Sequence, residues 1–183
     1  MPAPTRTPPD RWIDAGLRAL AAGGPEAVRV EVLAQELGVT KGGFYWQFDG
    51  RPSLLAAMLE RWERAVVTEV IDRLDRDGGD ARRKIGRLFA LATTIPDLMQ
   101  VELAIRDWAR RDADVARRLR RVDNRRMEYM RSLFRQVCPD ENEVEARCLI
   151  ALSLFVSAPL IAVEHQGRQR SEVVEHVLER LRR

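Results

Sequence analysis

The sequence predicts an all-α protein, with a small N-terminal three-helix head joined by one long helix to a larger all-helical domain. Three observations predict this class. Apolar residues recur at helical spacing through nearly every segment, no period-2 strand pattern of any length occurs, and Gly and Pro fall where one helical run stops and the next begins.

The elements follow in chain order. Met1–Pro9 is proline-rich and expected to be a disordered arm, with Arg6 the residue placed to reach a minor groove as N-terminal arms do. Asp10 is expected to cap a first helix, whose apolar residues Trp12, Ile13, Leu17 and Leu20 recur until Gly23, Gly24 and Pro25 end it. Two short helices then fill Val30–Phe48. After Asp49 and Gly50, Pro52 suits the first turn of a long helix running through Leu54, Leu55, Met58, Leu59, Trp62, Val66 and Val70 to about Leu74. That is roughly 35 Å at 1.5 Å per residue. Further helices are predicted over Asp80–Thr94, Asp97–Arg111, Ala113–Val137, Glu141–Gln166 and Arg170–Arg182, with Pro96, Pro139 and Gly167 as punctuation. Leu149–Val163 is apolar nearly all round, as expected of a helix buried on two sides, one against its own domain and the other against a second subunit.

The run VEVLAQELGVTKGGFYWQF, Val30–Phe48, carries the most information. Two helices crossing steeply need a small residue at the crossing, here Ala34, and a turn residue that accepts positive φ, here Gly38. Thr40 suits the N-cap of the second helix. Leu33, Leu37, Val39 and Phe44 would face inward. Lys41, Gly42, Gly43, Tyr45, Trp46 and Gln47 are then left near the outer face and N-terminal end, the part of such a unit that enters a major groove.

The segment LGVTKGGFYWQFDGRPSLLAAMLERW closely resembles the recognition helix and following helix of TetR-type transcriptional regulators, and the likeness runs from about Asp10 to Trp62. The resemblance implies phosphate contacts from Thr40, Tyr45 and Arg51. It implies that Lys41, Gly42, Gly43, Trp46 and Gln47 approach base edges or adjacent backbone of double-stranded operator DNA. Chemistry agrees in kind, since Lys reaches phosphate or guanine and Gln can bond adenine bidentately. Gly43, Gln47 and Glu31 depart from common residues of the family pattern. The domains are thus expected to be an arm at 1–9, a DNA-binding head at 10–50 with its motif at about 30–49, and a ligand-binding and dimerisation domain at 51–183.

Composition sets the outer limits. The net charge of +3 comes from 31 basic against 28 acidic residues, and Met1–Gly50 carries five basic and six acidic side chains, a net of −1. Affinity for DNA must therefore rest on a few placed contacts and on two heads acting together. Arg106–Arg135 holds eleven arginines against five acids and reads as solvated helix faces laced with i,i+4 pairs. Cys138 and Cys148 lack CxxC spacing, and neither a signal peptide nor an apolar run of membrane length is seen, so a reduced cytoplasmic protein with no membrane partner is expected.

The resemblance further implies a homodimer in which the last two long helices of each subunit pair across a two-fold axis, and the apolar residues Leu149, Val156, Val174, Val177, Leu178 and Leu181 are expected to serve it. Such a dimer sets its recognition helices about one DNA turn apart, ~34 to 36 Å, and reads a near-palindromic site. A small-molecule effector is expected in the C-terminal domain. Phe89, Thr93, Leu103, Trp108, Met127, Met130, Phe134 and Phe155, with Ser153, are candidates for its lining, although the same residues at helical spacing also read as plain core. No cofactor, metal site or catalytic residue is expected: the two histidines, His165 and His176, stand near the C-terminus without metal spacing or a nucleophile motif. The rival reading is a helical interaction protein whose head no longer grips DNA.

Overall fold

A computed structural model describes residues 7–94 and 96–182, with the side chains of 92–94, 96 and 182 left aside. Every regular element among the described residues is helical. They are α1 (Pro9–Gly23), α2 (Val30–Leu37), α3 (Lys41–Tyr45), α4 (Arg51–Glu63), α5 (Glu69–Asp77), α6 (Ala81–Thr94), α7 (Pro96–Ala109), α8 (Ala113–Phe134), α9 (Glu141–Ser157) and α10 (Arg170–Arg182). Short 3-10 turns cover Pro25–Ala27 and Ala158–Leu160, and a π turn, Arg64–Thr68, joins α4 to α5.

The chain forms two compact units. The first comprises the described residues up to Val66 together with Asp97–Leu119, so it extends past the boundary expected at Gly50. Its core is built from α1, α2, α3 and α4: Trp12, Leu20, Leu33, Phe44, Leu54 and Met58 are all fully buried. The ring of Phe44 meets Trp12 edge-on at 5.3 Å and stacks with Phe48 at 5.3 Å, which ties the recognition segment to α1. Such burial contributes about 1.5–3 kcal/mol per large side chain. Helices α1 and α4 approach closely at Gly16, where a Cβ would stand 2.6 Å from the Met58 Sδ. Farther along the unit, Glu102 on α7 is 1% exposed and accepts from the Trp62 indole N–H at 3.0 Å and from the Arg106 Nε at 2.9 Å. Without those donors the carboxylate would be costly to bury.

The second unit comprises Val67 to Thr94 and Arg120 to Arg182 among the described residues. Its core gathers Ile85, Phe89, Met130, Leu133, Phe134, Val144, Cys148, Ala151 and Leu181, with Met127, Val177 and Leu178 packed against it. Between α5, α6 and α8, Asp75 accepts from Lys84 at 2.7 Å and from the Tyr129 hydroxyl at 3.2 Å.

Several expectations are corrected. The N-cap of α1 is Pro8, and Asp10 instead sits in the first turn and accepts from Arg61 at 2.8 Å. The long helix reaches Asp77, but its regular i→i−4 pattern is broken by the π turn. Helix α9 stops at Ser157, nine residues short of Gln166, because Pro159 can neither donate to nor fit inside a continuing helix. Consequently Leu149–Val163 is not one continuous helix, and on the single chain Leu149 is 59% exposed, Ile150 48%, Leu160 64% and Val163 53%. The stripe on α10 is spent largely inside its own unit, since Leu181 is a core residue and Val177 and Leu178 lean on that core.

Candidate nucleic-acid interface

Residues Val30–Phe48 fold as two short helices with a tight turn between them. Gly38 ends α2 with φ +67, the left-handed conformation that favours glycine. Its N–H donates to Gln35 and that of Val39 to the Ala34 carbonyl, so the last turn of α2 is closed before α3 begins. Ala34 and Leu33 are buried, as the crossing requires. Thr40 occupies the N-cap position of α3, but its side chain makes no capping bond, so the hydroxyl stays exposed on the outer surface. Only the Thr40 carbonyl closes the turn, accepting from Gly43 at 3.1 Å.

Helix α3 has one inward residue, Phe44, and a wide outer face. Tyr45 is 61% and Trp46 74% exposed, against 0% for Trp12 and 1% for Trp62. Exposed aromatics of this size next to a fully buried Phe44 are available to a partner and not to the core. Lys41 and Gly42 are exposed and Gly43 is half-exposed. A Cβ on Gly43 would meet nothing within 4 Å and one on Gly42 only the Thr40 hydroxyl at 3.7 Å, so the fold itself does not demand glycine at either position.

Three of the polar candidates are engaged within the chain. The Lys41 ammonium lies 3.1 Å from the Glu31 carboxylate, on the first turn of α2. Hydrogen bonding from its own backbone N–H, then from Lys41, holds the Glu31 carboxyl below the usual carboxylate range. The Gln47 side-chain amide donates to the carbonyl of Thr7, at 3.4 Å, and Thr7 is itself 9% exposed. Sequence reasoning gave Thr7 no role, because its link to Gln47 spans forty residues. Arg51 has partners that the sequence did not suggest: its guanidinium donates to the carbonyls of Val28, at 2.7 Å, and Pro25, and so braces the turn before α2. Arg6 lies outside the described residues.

The candidates for a small-molecule site are divided. Trp108, 9% exposed, and Leu103 belong to the first unit. Phe89, Met130 and Phe134 are core residues of the second, with Met127 half-buried beside them. Phe155 is half-buried and lies under the Arg126 guanidinium, 5.3 Å from the ring centroid. Ser153 is exposed, and the Thr93 side chain lies outside the described residues. Of the candidates for dimerisation, Leu149 is exposed, Val156 and Val174 are half-buried, and Val177, Leu178 and Leu181 pack within the second unit. Among the described residues no cluster of His, Cys, Asp or Glu could hold a metal ion, and no helix is long and apolar enough to cross a membrane.

Residues 13–58 match the family described as bacterial regulatory proteins, tetR family. No curated protein matches the sequence. Among solved structures, the chain is similar to a transcriptional regulator from Rhodococcus sp. Rha1, with 21% identity, a TM-score of 0.71, and 96% of this chain and 94% of that one covered. A protein of Saccharomonospora viridis held to be a transcriptional regulator, in complex with choline, shares 19% identity over 94% of this chain and 92% of its own at a TM-score of 0.71. The regulator FadR from Bacillus subtilis, in complex with stearoyl-CoA, shares 15% identity over 94% and 96% at a TM-score of 0.68. At these identities the structures establish the shared fold, and the matched segment is the one that carries α2, the Gly38 turn and α3. Residues 13–58 are thus similar to the tetR family of bacterial regulatory proteins, and the chain as a whole has the fold of these solved transcriptional regulators.

Proposed function

We propose that this chain is a homodimeric, cytoplasmic repressor that binds a near-palindromic operator through α3 and leaves it when a small molecule binds the second unit. One observation carries the DNA-reading part: α3 buries Phe44 and turns Lys41, Tyr45 and Trp46 outward. The rival reading, a head that no longer grips DNA, would gain from burial of Thr40, Tyr45 and Arg51: Thr40 and Tyr45 are exposed, whereas Arg51 is half-buried and bonded within the head.

Dimerisation is supported by large apolar side chains left on the surface of the second unit: Leu149 and Ile150 on α9, then Leu160, Ile161 and Val163 after it. A group of this size on a monomer marks an interaction surface. A ligand-responsive switch is supported by the choline and stearoyl-CoA held by two of the similar structures. In this chain Met127, half-buried beside the second core, and Phe155, half-buried under the Arg126 guanidinium, are the residues proposed to meet the ligand. The helical run from Arg51 to Asp77 carries the chain from the first unit into the second, with the π turn at the crossing. A ligand acts through such a run only by binding one conformation more tightly than the other, with coupling of about 1–3 kcal/mol, and DNA then weakens the ligand by the same factor.

The test is selection from a random duplex library by the full chain and by a Tyr45→Ala, Gln47→Ala double variant. Enrichment of a two-fold related site that the variant loses is the expected result. A folded wild-type chain that enriches nothing contradicts the reading.

A further inference from the structure

Two features of the first unit attract a phosphate, and one carboxylate answers both. The first turn of α2 presents unpaired backbone N–H groups and the positive end of the helix dipole, and its N-cap residue Arg29 supplies no side-chain acceptor to them. Lys41, at the start of α3, is the only lysine of the head. Glu31, in the first turn of α2, accepts from Lys41 at 3.1 Å, and the backbone of the turn together with Lys41 keeps its carboxyl below the usual range. Both side chains are more than half exposed, and in a helix-turn-helix the first helix crosses the DNA backbone. The Glu31 carboxylate therefore stands where a phosphate oxygen would otherwise be welcomed.

Resting on the DNA-reading function proposed above, we propose that Glu31 is a specificity-determining residue of this head, an internal stand-in for phosphate that holds Lys41 and weakens binding to arbitrary duplex. A base edge with an acceptor, such as guanine O6 or N7, can take Lys41 over from Glu31. A phosphate seeking the same ammonium must also approach the carboxylate left behind, and like charges repel. Because the head, residues 10–50, carries four basic against six acidic side chains, a net charge of −2, no general basic field masks this local contest. Glu31 thus separates sites that offer Lys41 a base from duplex that offers only backbone.

The experiment compares the full-length wild type with Glu31→Gln, a substitution of equal shape that removes the charge, on the selected site and on an arbitrary duplex across a salt series. Opening one phosphate position in each head of the dimer steepens the logarithmic salt dependence by about 1.8, which at ~0.15 M salt is about a thirtyfold gain in affinity. The expected result is that gain and steeper slope on arbitrary duplex, a smaller gain on the selected site, and hence a lower ratio between them. Equal slopes for the two proteins overturn the proposal. So does weaker binding of E31Q to both duplexes, which would make Glu31 a support for Lys41. The Tyr45→Ala, Gln47→Ala variant on the same duplexes keeps the two claims apart. If the wild type selects a site that this variant loses, the Glu31 result decides the proposal alone. If the wild type selects no site, the DNA reading falls and the proposal falls with it.

Discussion

Replacing Gly42 and Gly43 with alanine is predicted to make the protein more stable and a poorer DNA binder. Both glycines lie inside α3, where glycine is disfavoured because its unfolded backbone is freer. Neither has a positive φ, and the added methyls would meet only the Thr40 hydroxyl at 3.7 Å. No strain opposes the exchange, so each substitution stabilises by about 0.4–1 kcal/mol. The helix is only five residues long, which places the sum near the low end, about 1 kcal/mol. For a chain of this size that raises the melting temperature by about 2–4 °C, readable by circular dichroism. On DNA the same methyls occupy the space in which backbone and groove meet, so affinity for the selected site falls while the melt rises. A double variant whose melting temperature drops refutes the structural part of the reasoning. One that gains both stability and affinity refutes the claim that these glycines serve close approach to DNA.

Other predictions follow from the polar ties and the surface. Arg51→Ala leaves the Pro25 and Val28 carbonyls without their donor and should lower the stability of the head by about 1–3 kcal/mol, seen as an earlier thermal transition; an Arg51 variant that melts normally but loses DNA would restore the phosphate role. Leu149→Glu with Ile150→Glu should dissociate the dimer in sedimentation experiments with little change in helix content, whereas Leu181→Glu, inside the second core, should unfold that unit instead. Burial, then the neighbouring Asp75 carboxylate, pushes the Tyr129 hydroxyl from 10.0 up to about 12. The folded state therefore holds this proton more tightly, and its stabilising effect is complete below pH 10.0 and lost as pH rises towards about 12. Tyr129→Phe should flatten the alkaline decline of the melting temperature over that range, and an unchanged profile would remove Tyr129 as its cause.

The head was legible in the sequence because its signals are local. Gly38, Ala34 and the spacing of Leu33, Leu37 and Phe44 each act within one or two turns, and the turn and both helices stand where they place them. Local pattern could not reveal how the polar side chains are spent. Arg51 reaches carbonyls 23 and 26 residues earlier, and Gln47 a carbonyl forty residues earlier, partners that exist only once the chain is folded. The apolar run after Leu149 misled for a different reason. Periodicity reports that a surface is apolar but not how far one helix carries it, so a single long helix and a helix followed by a turn read alike. Pro159 within that run did carry the physical signal for the end of α9. The π turn at Arg64–Thr68 has no mark in the sequence, with neither Gly nor Pro in it.

If the outer face of α3 is the surface that meets DNA, Trp46 reports it. Of the four tryptophans, Trp12, Trp62 and Trp108 are buried and Trp46 is 74% exposed, so the fluorescence open to a neutral quencher such as acrylamide belongs to Trp46. Adding the selected duplex is predicted to remove that accessible fraction in step with formation of the complex, while an unrelated duplex at the same concentration leaves most of it. A complex that forms fully while Trp46 stays open to quencher would mean that DNA is held by some other face.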